Sequence, residues 1–381
     1  MIDTLLIKNG LVCDPSSDIC DNLDIFIENG RIKEVGHNLD KDVFTINAKG
    51  YIVSPGFIDN HCHIYAKGTS IGLFADCVSY SLGNTVLVDA GSSGCGNYGA
   101  FHDTVVVPSD TQIFSYLNVA TTGQIISDCP ENPNPRYIHK NLIEGCLKQY
   151  KEIRGLKLRF DKTCTKKGGL NILKYSADLA HDYKLPLVVH IVNHPNTIRE
   201  ILNILEKGDI VCHCFHNNGE SLLDDSGRVQ KCAWDAKERG VIFEAADDFH
   251  NYSIDVIRSC IDEGFLPDII STDMYNQTAF YKCGYGLPFV MSKYLALGVD
   301  IKDVIKMVTA NVAKVLKQED IGNLNIGSQG NITIFKAEKG RLHFSSFDTS
   351  SCEANKVVTP FCTIKQGVIK YANPLFYTEN L

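Results

Sequence analysis

The sequence predicts an α/β protein: a (β/α)8 TIM barrel with a small β-sandwich domain built from both chain termini. Eight apolar strand-like segments alternate with helical segments between residues 56 and 273, and β-rich segments flank this region on both sides. Potential metal ligands stand at the carboxyl ends of several predicted strands. A doubly wound open sheet is the structural alternative, but the count of eight strands favours closure.

The terminal segments are each too short to bury a core alone. Short β-rich runs surround Asn9-Gly10 and Asn29-Gly30, and Asn-Gly is typical of β-hairpin turns. From about residue 323 the tail again alternates apolar and polar residues. We therefore expect a β-sandwich of residues 1–54 plus 323–381, with the barrel, residues 55–322, inserted between them.

The barrel region divides into regular strand and helix segments. The predicted strands are 56–61, 85–90, 112–118, 155–160, 187–192, 210–215, 241–246 and 268–273. Helical segments are predicted at 142–152, 172–182, 197–206, 233–239 and 252–263, followed by 288–297 and 302–316.

The composition argues against several classes of protein. Hydrophobic residues make up 44% of the 381 residues and charged residues 22%, as in globular proteins. The net charge of −8 argues against a nucleic-acid partner. No apolar run long enough for a membrane span and no signal-peptide pattern are present. With 15 cysteines and no C-x-x-C pair, we expect reduced thiols in a cytoplasmic protein.

The first barrel strand begins at Pro55-Gly56, a pair that interrupts the preceding segment. The strand ends in His61 and His63. Residues i and i+2 of a strand share one face, so both imidazoles can converge on one point. Imidazole suits zinc and other late transition metals, although two histidines can also end a strand by chance. Later strands supply further candidates at Lys157, Arg159, His190, His213 and Asp273.

Each later candidate also has a purely structural alternative. His190 can be a core histidine, Lys157 can reach solvent from a strand end, and Asp273 can cap the next helix. Because the carboxyl ends of barrel strands meet at one face, agreement among five strands favours a metal site.

Lys157 requires its own explanation, since an ammonium group beside a divalent metal is electrostatically unfavourable. A buried lysine is costly unless its charge is removed. Reaction of the neutral amine with carbon dioxide gives a carbamate, which is anionic and can bridge two metal ions.

With these segments the chain resembles the amidohydrolase superfamily, and within it the dihydroorotase-like amidohydrolase/deacetylase group. The resemblance covers essentially the whole chain. It is carried by Gly56-Phe57-Ile58-Asp59-x-His61-x-His63, Val88-Asp89-Ala90-Gly91-Ser92, Gly155-Leu156-Lys157-Leu158-Arg159, His213-Cys214-Phe215-His216, Pro267-Asp268-Ile269-Ile270-Ser271-Thr272-Asp273 and Met291-Ser292-Lys293-Tyr294-Leu295-Ala296-Leu297-Gly298.

The resemblance implies a metal-dependent hydrolase with two divalent ions, for which zinc is expected. One ion would be held by His61, His63, carbamylated Lys157 and Asp273, and the other by Lys157, His190 and His213. A hydroxide shared by the metals would attack an amide, a cyclic amide or an acetyl ester of a small metabolite. Asp273 would act as general base and then general acid. A small-molecule substrate and a homo-oligomeric assembly are expected.

Substrate contacts are predicted around the same strand ends. Arg159 follows Lys157 by two residues, so both side chains point to the same face of the strand. Arg159 is expected to bind a substrate carboxylate, and the alternative is a barrel-core ion pair. Further candidates that follow strand ends are Ser92, Asn193, His216 and Tyr275. The segment 243–250 replaces a Gly-His-Gly element of many relatives with residues that include Asp247, Asp248, Phe249 and His250, on the substrate face.

Two rival functions stay open. A mononuclear deaminase shares the barrel and the His-x-His element, but typically has a His-x-x-Glu element near strand five. Here His190 is followed by Ile191-Val192-Asn193. A catalytically inactive scaffold protein, similar to dihydropyrimidinase-like proteins, is the second rival; the presence of every expected ligand argues against it.

Overall fold

The computed structural model describes residues 4–126, 131–165, 169–248, 250–279 and 285–381. The strands are β1 (Leu5–Asp14), β2 (Ile19–Glu28), β3 (Arg31–Gly36), β4 (Thr45–Asn47), β5 (Ile52–Pro55), β6 (Phe57–Cys62), β7 (Asn84–Asp89), β8 (Gln112–Asn118), β9 (Ile153–Arg159), β10 (Leu187–His190), β11 (Ile210–Cys212), β12 (Ile242–Glu244), β13 (Ile332–Ser345), β14 (Ser351–Lys365) and β15 (Val368–Ala372). The α-helices are α1 (Tyr98–Phe101), α2 (Lys140–Gln149), α3 (Lys162–Thr165), α4 (Gly169–Asp182), α5 (Ile198–Ile204), α6 (Lys231–Arg239), α7 (Ile254–Asp262), α8 (Asn276–Ala279), α9 (Leu287–Ala296), α10 (Ile301–Met307), α11 (Ala310–Val315) and α12 (Pro374–Asn380).

The central sheet contains β6 to β12 in chain order, and all neighbouring strands are parallel. These strands correspond to the first seven predicted barrel strands. The eighth predicted strand, 268–273, is not a regular strand. Its segment instead makes parallel bridges through Ile269 to Glu244 of β12 and through Met274 to Cys62 of β6. Because one segment contacts both edges of the sheet, the fold is TIM-barrel-like, as predicted.

The last helices of the barrel region differ from the prediction of one helix over 302–316. The structure divides this region into α10 and α11, with the break at Val308 and Thr309. The Thr309 hydroxyl donates to the Ile305 carbonyl oxygen at 2.6 Å. Such side-chain bonds to the backbone compete with regular helix geometry.

Both chain termini contribute to one mixed sheet of order β15-β14-β13-β5-β1-β2-β3, with β4 paired to β1. The junction is made by β5, which pairs antiparallel with β13 and parallel with β1. The predicted pairing of the tail with the first residues is therefore present. Its arrangement as a β-sandwich stays a prediction.

The two Asn-Gly dipeptides behave differently. Asn29-Gly30 forms the turn between β2 and β3, with φ of 51° and 71°, as predicted. The hairpin predicted at Asn9-Gly10 is wrong, because this pair lies inside β1 at a register irregularity. A side chain at Gly10 would lie 2.4 Å from Val53 of β5, so glycine here permits close strand packing.

The long hairpin of β13 and β14 reaches from the terminal sheet to the barrel rim. We call residues 345–351 the hairpin tip. Within it, Asp348 accepts hydrogen bonds from Asn217 Nδ2 at 2.6 Å and from Ser253 Oγ at 2.5 Å. Ser253 is also the N-cap of α7, so the hairpin tip holds the segment that enters this helix.

Across the described ranges of the chain, no helix combines the length and apolar character that crossing a bilayer requires.

Candidate active site

A cavity of about 360 Å³ opens at the carboxyl ends of the barrel strands. Its walls contain seventeen residues: His61, His63, Ile71, Ala90, Asn118, Gln124, Glu131, Lys157, Arg159, His190, His213, Asp248, His250, Asn251, Asp273, Tyr275 and Gln277. All six predicted metal ligands are among them, together with the predicted substrate contacts Arg159 and Tyr275. The structure thus brings together residues that are far apart along the chain.

Three imidazoles converge on the Asp273 carboxylate. His63 Nε2 lies 3.2 Å and His61 Nε2 lies 3.5 Å from Asp273 Oδ1, and His213 Nε2 lies 3.8 Å from Oδ2. All four residues are buried. Each ring presents the same nitrogen to one point.

The opposite ring nitrogens of two of these histidines have partners outside the cavity. His63 Nδ1 lies 2.9 Å from the Ser92 hydroxyl, which donates to Asp89 Oδ2 at 2.7 Å. His213 Nδ1 donates to the Ala246 carbonyl oxygen at 2.8 Å. Such contacts fix the orientation of each ring and leave Nε2 available as a ligand.

His61 is oriented by Glu244, a residue that sequence reasoning missed. Glu244 Oε2 lies 3.3 Å from His61 Nδ1, while Oε1 accepts from Asn60 Nδ2 and from Ser271 Oγ, each at 2.8 Å. Burial raises the pKa of Glu244. A carboxylate within an otherwise apolar strand was the available signal.

Lys157 lies beneath these rings, with 5% of its surface exposed. Its Nζ is 3.3 Å from His61 Nε2 and 3.2 Å from Cys212 Sγ. Within the described residues it forms no ion pair with a carboxylate. Gly91, at φ +89°, makes room for it, because a Cβ there would lie 2.7 Å from Lys157 Cγ.

Burial favours the neutral form of three cavity histidines. Burial lowers the pKa of His61 and of His190 well below the usual value, and lowers that of His213 to about 3. The His190 ring centroid lies 4.6 Å from that of His213. A neutral imidazole has a lone pair available for a metal ion.

These donors fit a divalent metal. The ligand atoms of His61, His63 and Asp273 lie within 4.8 Å of one another, as do those of His61, Cys212 and His213. Imidazole nitrogens with a carboxylate form a typical zinc donor set. Cys212 fits less well, because burial raises the pKa of its thiol to about 12 and the thiol donates to the Val189 carbonyl oxygen.

Arg159 lies in the cavity wall but already has anionic partners. Its Nε is 2.7 Å from Asp161 Oδ2, and its Nη1 is 3.4 Å from Glu131 Oε2. The ion-pair alternative considered for this residue is therefore present. The arginine also lines the cavity, so the two descriptions are compatible.

Three predicted substrate contacts are outside the cavity lining. Ser92 lies behind His63, as described above. His216 Nε2 donates to the Ile191 carbonyl oxygen at 3.0 Å, and its Nδ1 accepts from the Asn218 backbone at 3.1 Å. The Asn193 backbone N–H donates to the Asn218 carbonyl oxygen at 3.0 Å, in the same loop region.

The segment after β12 contributes residues that were not predicted as contacts. Asn251 Nδ2 donates to Asp273 Oδ2 at 2.9 Å, and Asp248 and His250 line the cavity. Phe249 of this segment lies outside the described residues. The unusual composition of this segment was visible in the sequence, but its contact with Asp273 was not.

The chain is similar to proteins of one hydrolase family. A model of the amidohydrolase family matches residues 52–370. A deacetylase of Agrobacterium fabrum is 31% identical over 316 residues, which cover 80% of this chain and 76% of the relative. Among solved structures, a dihydroorotase covers 97% of this chain and 98% of its own, at 26% identity and a TM-score of 0.89. An adenine deaminase covers 97% and 99%, at 26% identity and a TM-score of 0.90.

The structure combines a TIM-barrel-like fold with a cavity at the carboxyl ends of its strands. The chain belongs to the amidohydrolase family, and its similarity is to the dihydroorotase-like group of that family. It is a hydrolase that acts on carbon–nitrogen bonds other than peptide bonds. Enzymes of this family are metal-dependent and act on small molecules.

Proposed function

We propose that this protein hydrolyses an amide, a cyclic amide or an acetyl ester of a small, carboxylate-bearing metabolite, with Asp273 as general base and acid. The observation that carries the proposal is the convergence of three Nε2 atoms on Asp273, above the buried Lys157. The names of the deacetylase and dihydroorotase relatives indicate that they act on bonds of this kind.

The proposed metal ligands are those predicted from the sequence. His61, His63, Asp273 and Lys157 would hold one divalent ion, and Lys157, His190 and His213 a second, with zinc as the expected metal. A carbamate on Lys157 would give this buried side chain an anionic group, in place of an amine that has no carboxylate partner among the described residues. Bound divalent ions supply Lewis acidity, which polarises a carbonyl and lowers the pKa of water.

The residues of the chain perform the proton transfers and the positioning. Asp273 accepts the proton of the attacking water and delivers it to the leaving nitrogen or oxygen. Asn251 donates to Asp273 Oδ2 at 2.9 Å and keeps this carboxylate directed into the cavity. Arg159 binds the substrate carboxylate through the part of its guanidinium that Asp161 and Glu131 leave available.

We propose the domain division that the sequence predicted. Residues 1–54 and 323–381 form the supporting sheet domain, and residues 55–322 form the hydrolase barrel. The β5–β13 pairing joins the two terminal parts of this supporting domain.

A mononuclear deaminase is the second candidate, and the likeness to an adenine deaminase over 97% of this chain favours it. The two candidates differ in metal stoichiometry and in product. A deaminase releases ammonia from a ring amine, whereas the proposed enzyme releases a carboxylate.

The deciding experiment combines metal content with a substrate screen. Purified protein is assayed for zinc per chain and for turnover of N-acyl amino acids, dihydroorotate, hydantoins, acetyl esters and adenine. We expect about two zinc ions per chain and turnover of an acyl compound or ring amide. One ion with release of ammonia from adenine would support the deaminase instead, and absence of bound metal would support the inactive scaffold.

A further inference from the structure

The acidic side chains around the cavity differ in whether they have a cationic or N–H side-chain partner. Asp161 and Glu131 contact Arg159, at 2.7 Å and 3.4 Å. Asp273 contacts the histidines and accepts from Asn251. These three carboxylates therefore have side-chain partners within the protein.

Asp248 lacks such a side-chain partner among the described residues. Its Oδ1 accepts the backbone N–H of His250 at 2.7 Å, and the side chain forms no ion pair with any described lysine or arginine. Only 5% of its surface is exposed, yet it lines the cavity that holds Asp273. It is a buried carboxyl group without a cationic partner among the residues that the structure describes.

The neighbouring residue holds Asp248 in this place. Asp247 Oδ2 lies 2.6 Å from Lys293 Nζ and accepts from Tyr294 OH at 2.9 Å, and the Asp247 backbone N–H donates to Ser271 at 3.0 Å. Asp247 and Lys293 are both buried, so this ion pair fixes the backbone on one side of Asp248. A fixed acceptor loses little entropy when it binds a ligand.

Burial, and then the negative charge of Asp273, raise the pKa of Asp248 well above its usual value. A cation in the cavity would reverse this effect, since an adjacent positive charge favours the carboxylate. With its backbone fixed by the Asp247–Lys293 ion pair, this buried carboxyl group at the cavity wall offers an acceptor to a positively charged group of a ligand.

We propose that Asp248 determines specificity by binding a positively charged nitrogen that the substrate carries beside its scissile bond. This inference rests on the proposed function, and it narrows the substrate class to amides, ring amides or esters that contain an ammonium or guanidinium group. With Arg159 at another part of the wall, the cavity suits a substrate that carries both a cation and a carboxylate.

The test uses zinc-loaded protein and ligands that bind without turnover. Pairs of ω-amino hydroxamates and alkyl hydroxamates of equal chain length are titrated by calorimetry, over a series of lengths. We expect the amino compound to bind at least about tenfold more tightly at one or more lengths.

Asp248→Asn removes the negative charge of this side chain and keeps its local hydrogen bond, because the amide oxygen can still accept the His250 N–H. We expect this variant to bind both members of each pair with similar affinity, within about twofold. Asp255→Asn is the matched control, since Asp255 is exposed on α7 and its side chain pairs with Arg258. It should keep the full preference.

The outcomes are distinguishable. If hydroxamates bind but wild-type protein shows no preference at any length, or if Asp248→Asn keeps the preference, the inference is overturned while the proposed function stands. If no hydroxamate binds to zinc-loaded protein, the proposed metal site is wrong, and this inference is overturned with it.

Discussion

The barrel has a cavity at each end, and the larger one lies away from the candidate active site. The cavity at the amino ends of β10, β11 and β12 has a volume of about 540 Å³, compared with about 360 Å³ at the rim. The basal cavity is lined by five lysines, Lys184, Lys207, Lys237, Lys314 and Lys317. Of these two cavities, the larger is therefore not the one that contains the predicted ligands.

The two cavities differ in how their charged groups are satisfied. At the base, Lys237 pairs with Asp268 at 2.8 Å, and His181 Nε2 contacts Asp209 at 2.9 Å. Lysines at helix C-termini also stabilise the helix dipoles. At the rim, three imidazoles present their Nε2 atoms to the Asp273 carboxylate, and Lys157 has no carboxylate partner among the described residues. Ligand-type side chains around Asp273, and not volume, distinguish the candidate active site from the basal cavity.

The largest contrast is expected between Asp273→Asn at the rim and Asp209→Asn at the base. Asp273→Asn removes the proposed proton acceptor, so kcat should fall about 100- to 10,000-fold with the fold retained. Asp209→Asn alters a buried acceptor of backbone N–H groups, so it should lower Tm and leave kcat nearly unchanged. Steady-state kinetics and thermal unfolding measure both. Wild-type kcat in Asp273→Asn would remove this residue from the mechanism.

The comparison of rim and base also applies to two lysines, Lys157 at the rim and Lys237 at the base. Lys157→Ala should lose most of its bound zinc and its activity, with partial rescue by bicarbonate or short carboxylates, because an added anion can replace the carbamate. Lys237→Ala should keep its zinc. Metal analysis after dialysis provides the measurement. Full zinc content in Lys157→Ala would contradict the bridging role.

A smaller effect is expected at Glu244, which orients His61 without facing the cavity. Glu244→Gln should weaken zinc binding about 10- to 100-fold, as for other partners of metal-bound histidines. Glu238→Gln, on the exposed face of α6, is the control and should not change zinc affinity. Competition with a chelator measures both variants. Equal affinities would show that the His61 ring keeps its orientation without this carboxylate.

The smallest effect concerns the hairpin tip. Hydrogen bonds from Ser253, Ser346 and Ser350 lower the pKa of Asp348, although partial burial opposes this. A lowered pKa gives stability that is present above the unfolded value of about 3.9 and is lost as the pH falls below it. Asp348→Asn should therefore lower Tm at neutral pH, and the difference from wild type should shrink on acidification.

The control for Asp348→Asn is Asp235→Asn, which removes a solvent-exposed pair with Lys231 and should change Tm little. Thermal unfolding is followed by circular dichroism over a range of pH. A Tm difference for Asp348→Asn that is independent of pH would mean that the charge of this residue does not contribute.

The sequence predicted those features that depend on strand register and chain order. Strand ends carried His61, His63 and His213, and parallel strands bring their ends to one face, so the cavity lining could be anticipated. Glu244 was visible only as a carboxylate in an apolar strand and Asn251 had no signal of its own, because their contacts with His61 and Asp273 join segments that are distant in the chain. Spacing alone does not encode such contacts.

Local signals failed where tertiary packing decided the outcome. Asn9-Gly10 has the composition of a turn, but close packing against β5 retains it within β1. His216 follows a strand end like the cavity residues, but both of its ring nitrogens bond to the backbone. In both cases the deciding neighbour comes from another part of the fold.

The contact between the hairpin tip and Ser253 has a consequence for the order in which parts of the cavity region are synthesised. Ser253, which the tip holds through Asp348, lies two residues beyond Asn251, the donor to Asp273. A ribosome completes every cavity residue about seventy residues before it reaches the tip. In a nascent chain the residues of the cavity are therefore all present before the hairpin tip that contacts Asn217 and Ser253.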